Sequence, residues 1–286
     1  MKSTSLSIAD KIDPTTRFIY DDINTAAGAV GADWLVIGAT ARDMIYNAAF
    51  GVQIKRGTKD IDFAIHVDSW DTFNALTKSL VDDHGYSRSK SEHRLDRPDS
   101  KLWIDIIPFG AIAGEDGKYR WPEEPDKEIS ILGFEDALRT AIMCQISDDP
   151  VFALKVVHPA VLILLKIISW RDRKHYKRTD AEDVAYALRH YIELDGNEMR
   201  VYDDATLYEG DLDMGTIGGR LVGRDLGLLV PGVALESVQQ FIQEEVDRGN
   251  ESEFLADMMR GTTKLFADDR QYAEQFANLL IGINEA

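Results

Sequence analysis

Residues 56 to 63 read Arg56-Gly57-Thr58-Lys59-Asp60-Ile61-Asp62-Phe63, and the alternation runs on through Ala64-Ile65-His66-Val67. A period of two marks a strand. Asp60 and Asp62 then fall on one face, with Ile61, Phe63 and Ile65 on the other. Two residues of strand rise about 6.6 Å, so both carboxylates can converge on one metal centre. A globular protein gains little structurally from acids lining one strand face. Metal-assisted chemistry gains much.

Two neighbouring stretches extend the pattern. Trp34-Leu35-Val36-Ile37 reads as a short apolar strand that runs into Gly38-Ala39-Thr40 and then a helix bearing Arg42-Asp43. A glycine between strand and helix exposes backbone N–H groups and a positive helix terminus to an anion. Leu102 to Ile107 reads as a third strand, ended by Pro108, with Asp105 inside it. A lone acid there is costly unless it is ion-paired with an Arg or Lys, hydrogen-bonded, or bound to metal. Gathered with Asp60 and Asp62 it meets like charge, and two carboxylates about 4 Å apart repel by about 4 kcal/mol at an effective dielectric near 20. Such a trio protonates or recruits a cation. Oxygen ligands without His or Cys favour Mg²⁺ or Mn²⁺, which can clamp a triphosphate and activate a hydroxyl.

The spacing predicts helices over 16–30, 41–50 and 69–84, the last capped by Ser69. Gly110 to Pro125 reads as a loop or hairpin, with a strand over Glu128–Leu132. From Gly133 the pattern turns helical: 134–146, a helix opened by Pro159 and reaching Arg171, and one started by the capping-box sequence Thr179-Asp180-Ala181-Glu182 and reaching Tyr191. Helices follow near 216–229, 234–248, 251–261 and 268–283. The expected fold is α+β: a small mixed sheet with flanking helices over 1–132, then a helical domain over 133–286 with an acidic tail region.

Together these pieces resemble the nucleotidyltransferase fold of the DNA polymerase β-like superfamily. Val36-Ile37-Gly38-Ala39-Thr40-Ala41-Arg42-Asp43 and Arg56 to Phe63 are similar to its abortive-infection branch, the AbiEii/AbiGii type. Leu164-Leu165-Lys166, Trp170-Arg171-Asp172-Arg173 and Asp180-Ala181-Glu182-Asp183 resemble that family's lysine helix and later K-D-x-x-D segment. The resemblance implies Asp60, Asp62 and Asp105 as metal-holding catalytic residues, with Asp105 as base toward the acceptor hydroxyl. It implies nucleotide contacts from Gly38, Ala39, Thr40, Arg42, Thr58, Lys166, Asp180 and Asp183, with Lys166 steadying the triphosphate. It further implies NTP as substrate, RNA (the tRNA 3′ end) as acceptor, and a cognate antitoxin. Lys166 has a second reading as a solvated helix lysine, although it stands among Val161 to Ile168, and Asp180 has one as a helix cap. Arg56 and Lys59 either contact phosphate or balance the neighbouring acids. Two departures bear on nucleotide choice: Ala39 stands where many members have Ser or Gly, and Thr179 replaces the lysine of K-D-x-x-D. The carboxylates are intact.

Composition limits the alternatives. At 286 residues with a net charge of −18, the chain is no wholesale nucleic-acid binder. Basic residues cluster instead at Arg88, Lys90, Arg94, Arg97 and Lys101, and at Lys166, Arg171, Arg173, Lys174, Lys177 and Arg178; Tyr191–Ala286 carries 20 acids against 7 bases. The single Cys144 excludes a disulfide framework. The polar start and the lack of a long apolar run point to the cytoplasm and away from a membrane. His66, His84, His93, His158, His175 and His190 have no metal-ligand spacing. Neither a P-loop nor a Ser or Cys nucleophile motif occurs. Two other functions fit the residues: transfer to a small molecule of aminoglycoside type, and a nucleotide-binding regulator without turnover.

Overall fold

The computed structural model describes residues 5–53, 57–97, 100–114, 117–122, 124–175, 177–208, 214–260 and 269–286. Arg56, Gly261 and Asp268 lie outside them. Two units result, Thr4–Val157 and His158–Ala286. Among the described residues no helix is long and apolar enough to cross a membrane.

The first unit is built on strands β1 (Ser5–Ser7), β2 (Trp34–Ile37), β3 (Asp60–His66), β4 (Ser87–Arg88), β5 (Arg94–Asp96), β6 (Trp103–Phe109), β7 (Lys118–Trp121), β8 (Glu124–Ser130), β9 (Ile142–Asp148) and β10 (Val151–Val156). Its helices are α1 (Pro14–Val30), α2 (Gly38–Arg42), α3 (Trp70–Asp82) and α4 (Phe134–Arg139). Eight strands form one mixed sheet in the order β1-β9-β10-β2-β3-β6-β5-β4, and β7 and β8 form a separate hairpin. β3 lies antiparallel to β2 and parallel to β6.

Local chemistry starts and stops the flanking helices. Asp13 accepts the Thr16 amide at 3.0 Å ahead of Pro14, and Gly31 closes α1 in the left-handed region. Ser69 caps α3 through the Thr72 amide at 3.2 Å, as its sequence predicts. Tyr20 of α1 meets Phe63 edge-on at 6.0 Å, so α1 packs on the Phe63 face of β3. α2 runs directly into a π-helix over Asp43–Ala49, a form that concentrates at functional sites.

The sheet is larger than the sequence suggests. The helix expected over 134–146 stops at Arg139, and β9 and β10 return to the sheet beside β2. Ile142, Cys144 and Ile146 are buried and Met143 is exposed, so a two-residue period decides this segment. The boundary expected at 132/133 accordingly moves to 157/158. β6 also continues through Pro108, which pairs with Ile65, to Phe109. The β5 pairing reaches only Asp105 there, so a residue without an N–H fits.

The second unit contains α5 (Pro159–Arg173), α6 (Thr179–His190), α7 (Asn197–Asp203), α8 (Met214–Leu229), α9 (Val233–Arg248), α10 (Glu253–Met259) and α11 (Asp269–Glu285). Trp170 is buried against Phe254 at 4.9 Å, and its indole N–H donates to Asp257. Five glycines punctuate α8, and α11 packs on it at backbone contact. A methyl group on Gly223 would stand 2.6 Å from the Ile283 nitrogen, and one on Gly282 would stand 2.9 Å from the Arg220 carbonyl carbon.

Candidate active site

Pairing register assembles the acids. Asp62 faces Asp105 across the β3–β6 ladder, and Ile37 faces Asp62 across β2–β3. Carboxylate oxygens of Asp60, Asp62 and Asp105 lie within 4.8 Å of one another. Asp60 and Asp62 are half-buried and Asp105 is buried. At that separation each like-charged pair costs about 3–4 kcal/mol at an effective dielectric near 20.

Gly38 makes the approach of Asp62 feasible. Its φ is +69°, and an added Cβ would lie 2.7 Å from Asp62 Cγ and 2.9 Å from Asp62 Cβ. Only glycine combines a left-handed turn with that contact. Two hydroxyls steady Asp60: Thr40 donates to its carbonyl oxygen at 2.9 Å, and Thr58 donates to its carboxylate. Thr40 therefore spends its proton on the strand. Ala39 is buried beside it. Arg42 is also buried, and its guanidinium grips Asp43 at 2.7 and 2.8 Å. A cleft of about 300 Å³ opens beside Asp60, with Asp13, Asn47 and Thr58 on its walls.

Asp105 has a partner that the sequence left open. Arg94 of β5 stands opposite it in register, and Nε and Nη2 donate to its two oxygens at 2.7 Å each. The guanidinium also lies over the Trp103 ring, 4.8 Å from its centroid. Arg94's pKa is raised, first by the hydrogen bonds to Asp105 and further by Asp60 and Asp96. Three carboxylates and one guanidinium leave a formal charge of −2. The two readings of Asp105, ion pair and member of the acid trio, are both realised. Reading by segments did not single out Arg94 or Trp103, because only strand pairing brings β5 to β6. Lys59 is exposed, and its carbonyl accepts the Trp103 amide at 3.2 Å.

Within the second unit, Lys166 is not a solvated helix lysine. Its Nζ donates to Asp180 at 2.8 Å and Asp183 at 2.7 Å. Asp180 accepts further from Ser169 at 3.0 Å and Arg173 at 3.1 Å. It caps nothing; α6 starts without a side-chain cap bond. Burial by itself would raise the Asp180 carboxyl, but Lys166 and Arg173 outweigh it and bring it to about 2. Burial likewise opposes charge on Lys166, yet Asp183 and Asp180 raise its pKa above the ordinary lysine range.

The sequence profile described as "Nucleotidyl transferase AbiEii toxin, Type IV TA system" matches residues 25–279. The chain belongs to the AbiEii family. It is thus an NTP-using nucleotidyltransferase of the toxin type. No curated protein matches it. Among solved structures, the antibiotic-resistance factor ANT(2'')-Ia is similar at 12% identity and TM-score 0.35, covering 67% of this chain and 94% of that one. JHP933 from Helicobacter pylori is similar at 11% identity and TM-score 0.35, covering 94% and 90%. The Thermotoga maritima CCA-adding enzyme complexed with tRNA is similar at 11% identity and TM-score 0.27, covering 97% and 83%. The AbiEii assignment rests on the profile match.

Proposed function

We propose that this AbiEii protein transfers a nucleotide from an NTP to the 3′-hydroxyl of an RNA, with tRNA as the natural acceptor, as the toxin of a pair whose antitoxin silences it. The observation that carries the reading is the convergence of Asp60, Asp62 and Asp105 within 4.8 Å. The donor set is all carboxylate, which fits Mg²⁺ or Mn²⁺. Asp60, Asp62 and Asp105 would hold the metal, which supplies Lewis-acid polarisation of the phosphates and neutralises their charge.

The remaining work falls to the chain. Backbone N–H groups at Gly38, Ala39 and Thr40, at the start of a helix, suit the triphosphate oxygens. The acceptor oxygen bonds to the α-phosphorus as the bond to the bridging oxygen breaks and pyrophosphate leaves. Asp105 takes the hydroxyl proton; each of its oxygens keeps a lone pair beyond the one that meets Arg94. The role of Lys166 toward a triphosphate rests on the family resemblance; Asp180 and Asp183 hold its ammonium in one place.

The test incubates the protein with each labelled NTP, Mg²⁺ and total RNA, alongside Asp62→Asn. RNA labelling that requires Asp62 is the expected result. Label on neither RNA nor protein with any of the four nucleotides defeats the proposal. A polycationic small-molecule acceptor is the second reading, supported by the acid-walled cleft beside Asp60. Label on an aminoglycoside and none on RNA would select it.

A further inference from the structure

We infer that Arg94 is an acceptor-binding residue: the free edge of its guanidinium receives a backbone phosphate of the RNA strand whose 3′ end is extended. This rests on the nucleotidyl transfer to RNA proposed above. An arginine carries five N–H donors in one plane. Nε and Nη2 each spend one on Asp105. The three others, two on Nη1 and one on Nη2, meet no acceptor among the described residues. Their outer edge has the fork geometry that matches a phosphate.

The fork is set rigidly. Asp105 fixes one edge and Trp103 supports the plane. The Arg94 side chain is 29% exposed while that of Asp105 is 9% exposed, so the spare donors lie on the solvent side of the pair. An arginine held only as a counter-ion has no need of an open edge.

Strand order says which substrate this edge meets. Ile37, Asp62, Asp105 and Arg94 form one row across β2, β3, β6 and β5. Gly38, with the phosphate-directed helix start, follows Ile37 at one end, and Arg94 stands at the other, the acids between them. In-line displacement places nucleophile and leaving group on opposite sides of the phosphorus. With pyrophosphate leaving on the β2 side, the acceptor enters on the β5 side. Arg94 is one strand spacing, about 4.8 Å, beyond Asp105. Exposed Lys101, just before β6, adds a positive side chain near the start of that strand, whereas Arg88 pairs with Leu95 and lies on the opposite face of the sheet.

Steady-state labelling with total RNA tests the inference, using wild type, Arg94→Ala, Arg94→Lys and Lys101→Glu, each checked by thermal melting. Losing one charged hydrogen-bonding fork should raise the KM for RNA about tenfold or more in Arg94→Ala, with the KM for NTP unchanged. Arg94→Lys keeps the charge but loses the planar two-sided fork, and should fall between. Lys101→Glu, on an exposed side chain, should raise the RNA KM and lower the salt dependence of binding to a single-stranded RNA 12-mer. An Arg94→Ala enzyme that loses kcat with its RNA KM intact overturns the inference, since Arg94 would then act only through Asp105. Should Arg94→Ala fail to fold, an unchanged RNA KM in both Arg94→Lys and Lys101→Glu overturns it equally. A wild-type enzyme that labels no RNA defeats the transfer reading itself, a different outcome.

Discussion

Gly38→Ala isolates the contact on which the acid trio depends. An alanine at φ +69° costs about 1–2 kcal/mol in backbone conformation. Its Cβ would also sit 2.7 Å from Asp62 Cγ, where carbon atoms rest at about 3.5 Å or more. The Asp62 carboxylate must therefore retreat by about 0.8 Å. A misplacement of about 1 Å at a reacting centre costs on the order of 100-fold in rate. The melting temperature should fall only modestly, by roughly 2–8 °C for a chain of this size. The assay pairs nucleotide-labelling rates with Mn²⁺ binding followed by electron paramagnetic resonance, and both should weaken while most of the protein stays folded. Gly28→Ala is the control, since a Cβ at Gly28 meets nothing within 4 Å. Wild-type turnover in Gly38→Ala, or loss that merely tracks the unfolded fraction, refutes the reasoning.

Two further expectations concern the helical unit. Lys166→Ala strands Asp180 and Asp183 without their main cation, so it should cost about 3–5 kcal/mol of stability in urea unfolding; a loss under about 1 kcal/mol would show that the trio is not a structural unit. Acid should weaken the same unit in two stages. Burial holds His158 down at about 4, so below about pH 6.5 the unfolded chain binds a proton that the folded one refuses, and stability falls until about pH 4. Asp180, at about 2 when folded and 3.8 unfolded, adds a further loss between those values. Urea midpoints that stay level from pH 7 to pH 3 contradict both assignments.

The acid-bearing strands were legible because their chemistry is local. Asp60-Ile61-Asp62-Phe63 announces its period and its faces within four residues, and Trp34 to Gly38 announces a strand, a turn and a helix in five. The hairpin of β9 and β10 was not, because Ile142, Cys144 and Ile146 follow directly on the helical turn of Glu135 to Arg139. Only the Asp148-Asp149-Pro150 turn signal distinguishes it from a continued helix. Arg94 was one basic residue in a cluster of five until strand pairing placed it across from Asp105. Lys166 was singled out by its apolar neighbours. Its partners are also local, 14 and 17 residues on, yet whether Asp180 capped α6 or bonded Lys166 depended on the packing of α5 against α6.

The contact between α8 and α11 bears on the order in which the second unit can form. A glycine inside a helix costs about 1 kcal/mol against alanine, so a segment with five of them is a poor helix in isolation. Its smooth flank becomes an asset once Gln275 to Ile283 arrives to press backbone on backbone. α8 thus waits for a partner about 40 residues further along the chain, and a nascent protein would carry an unfinished helical unit until that stretch has left the ribosome.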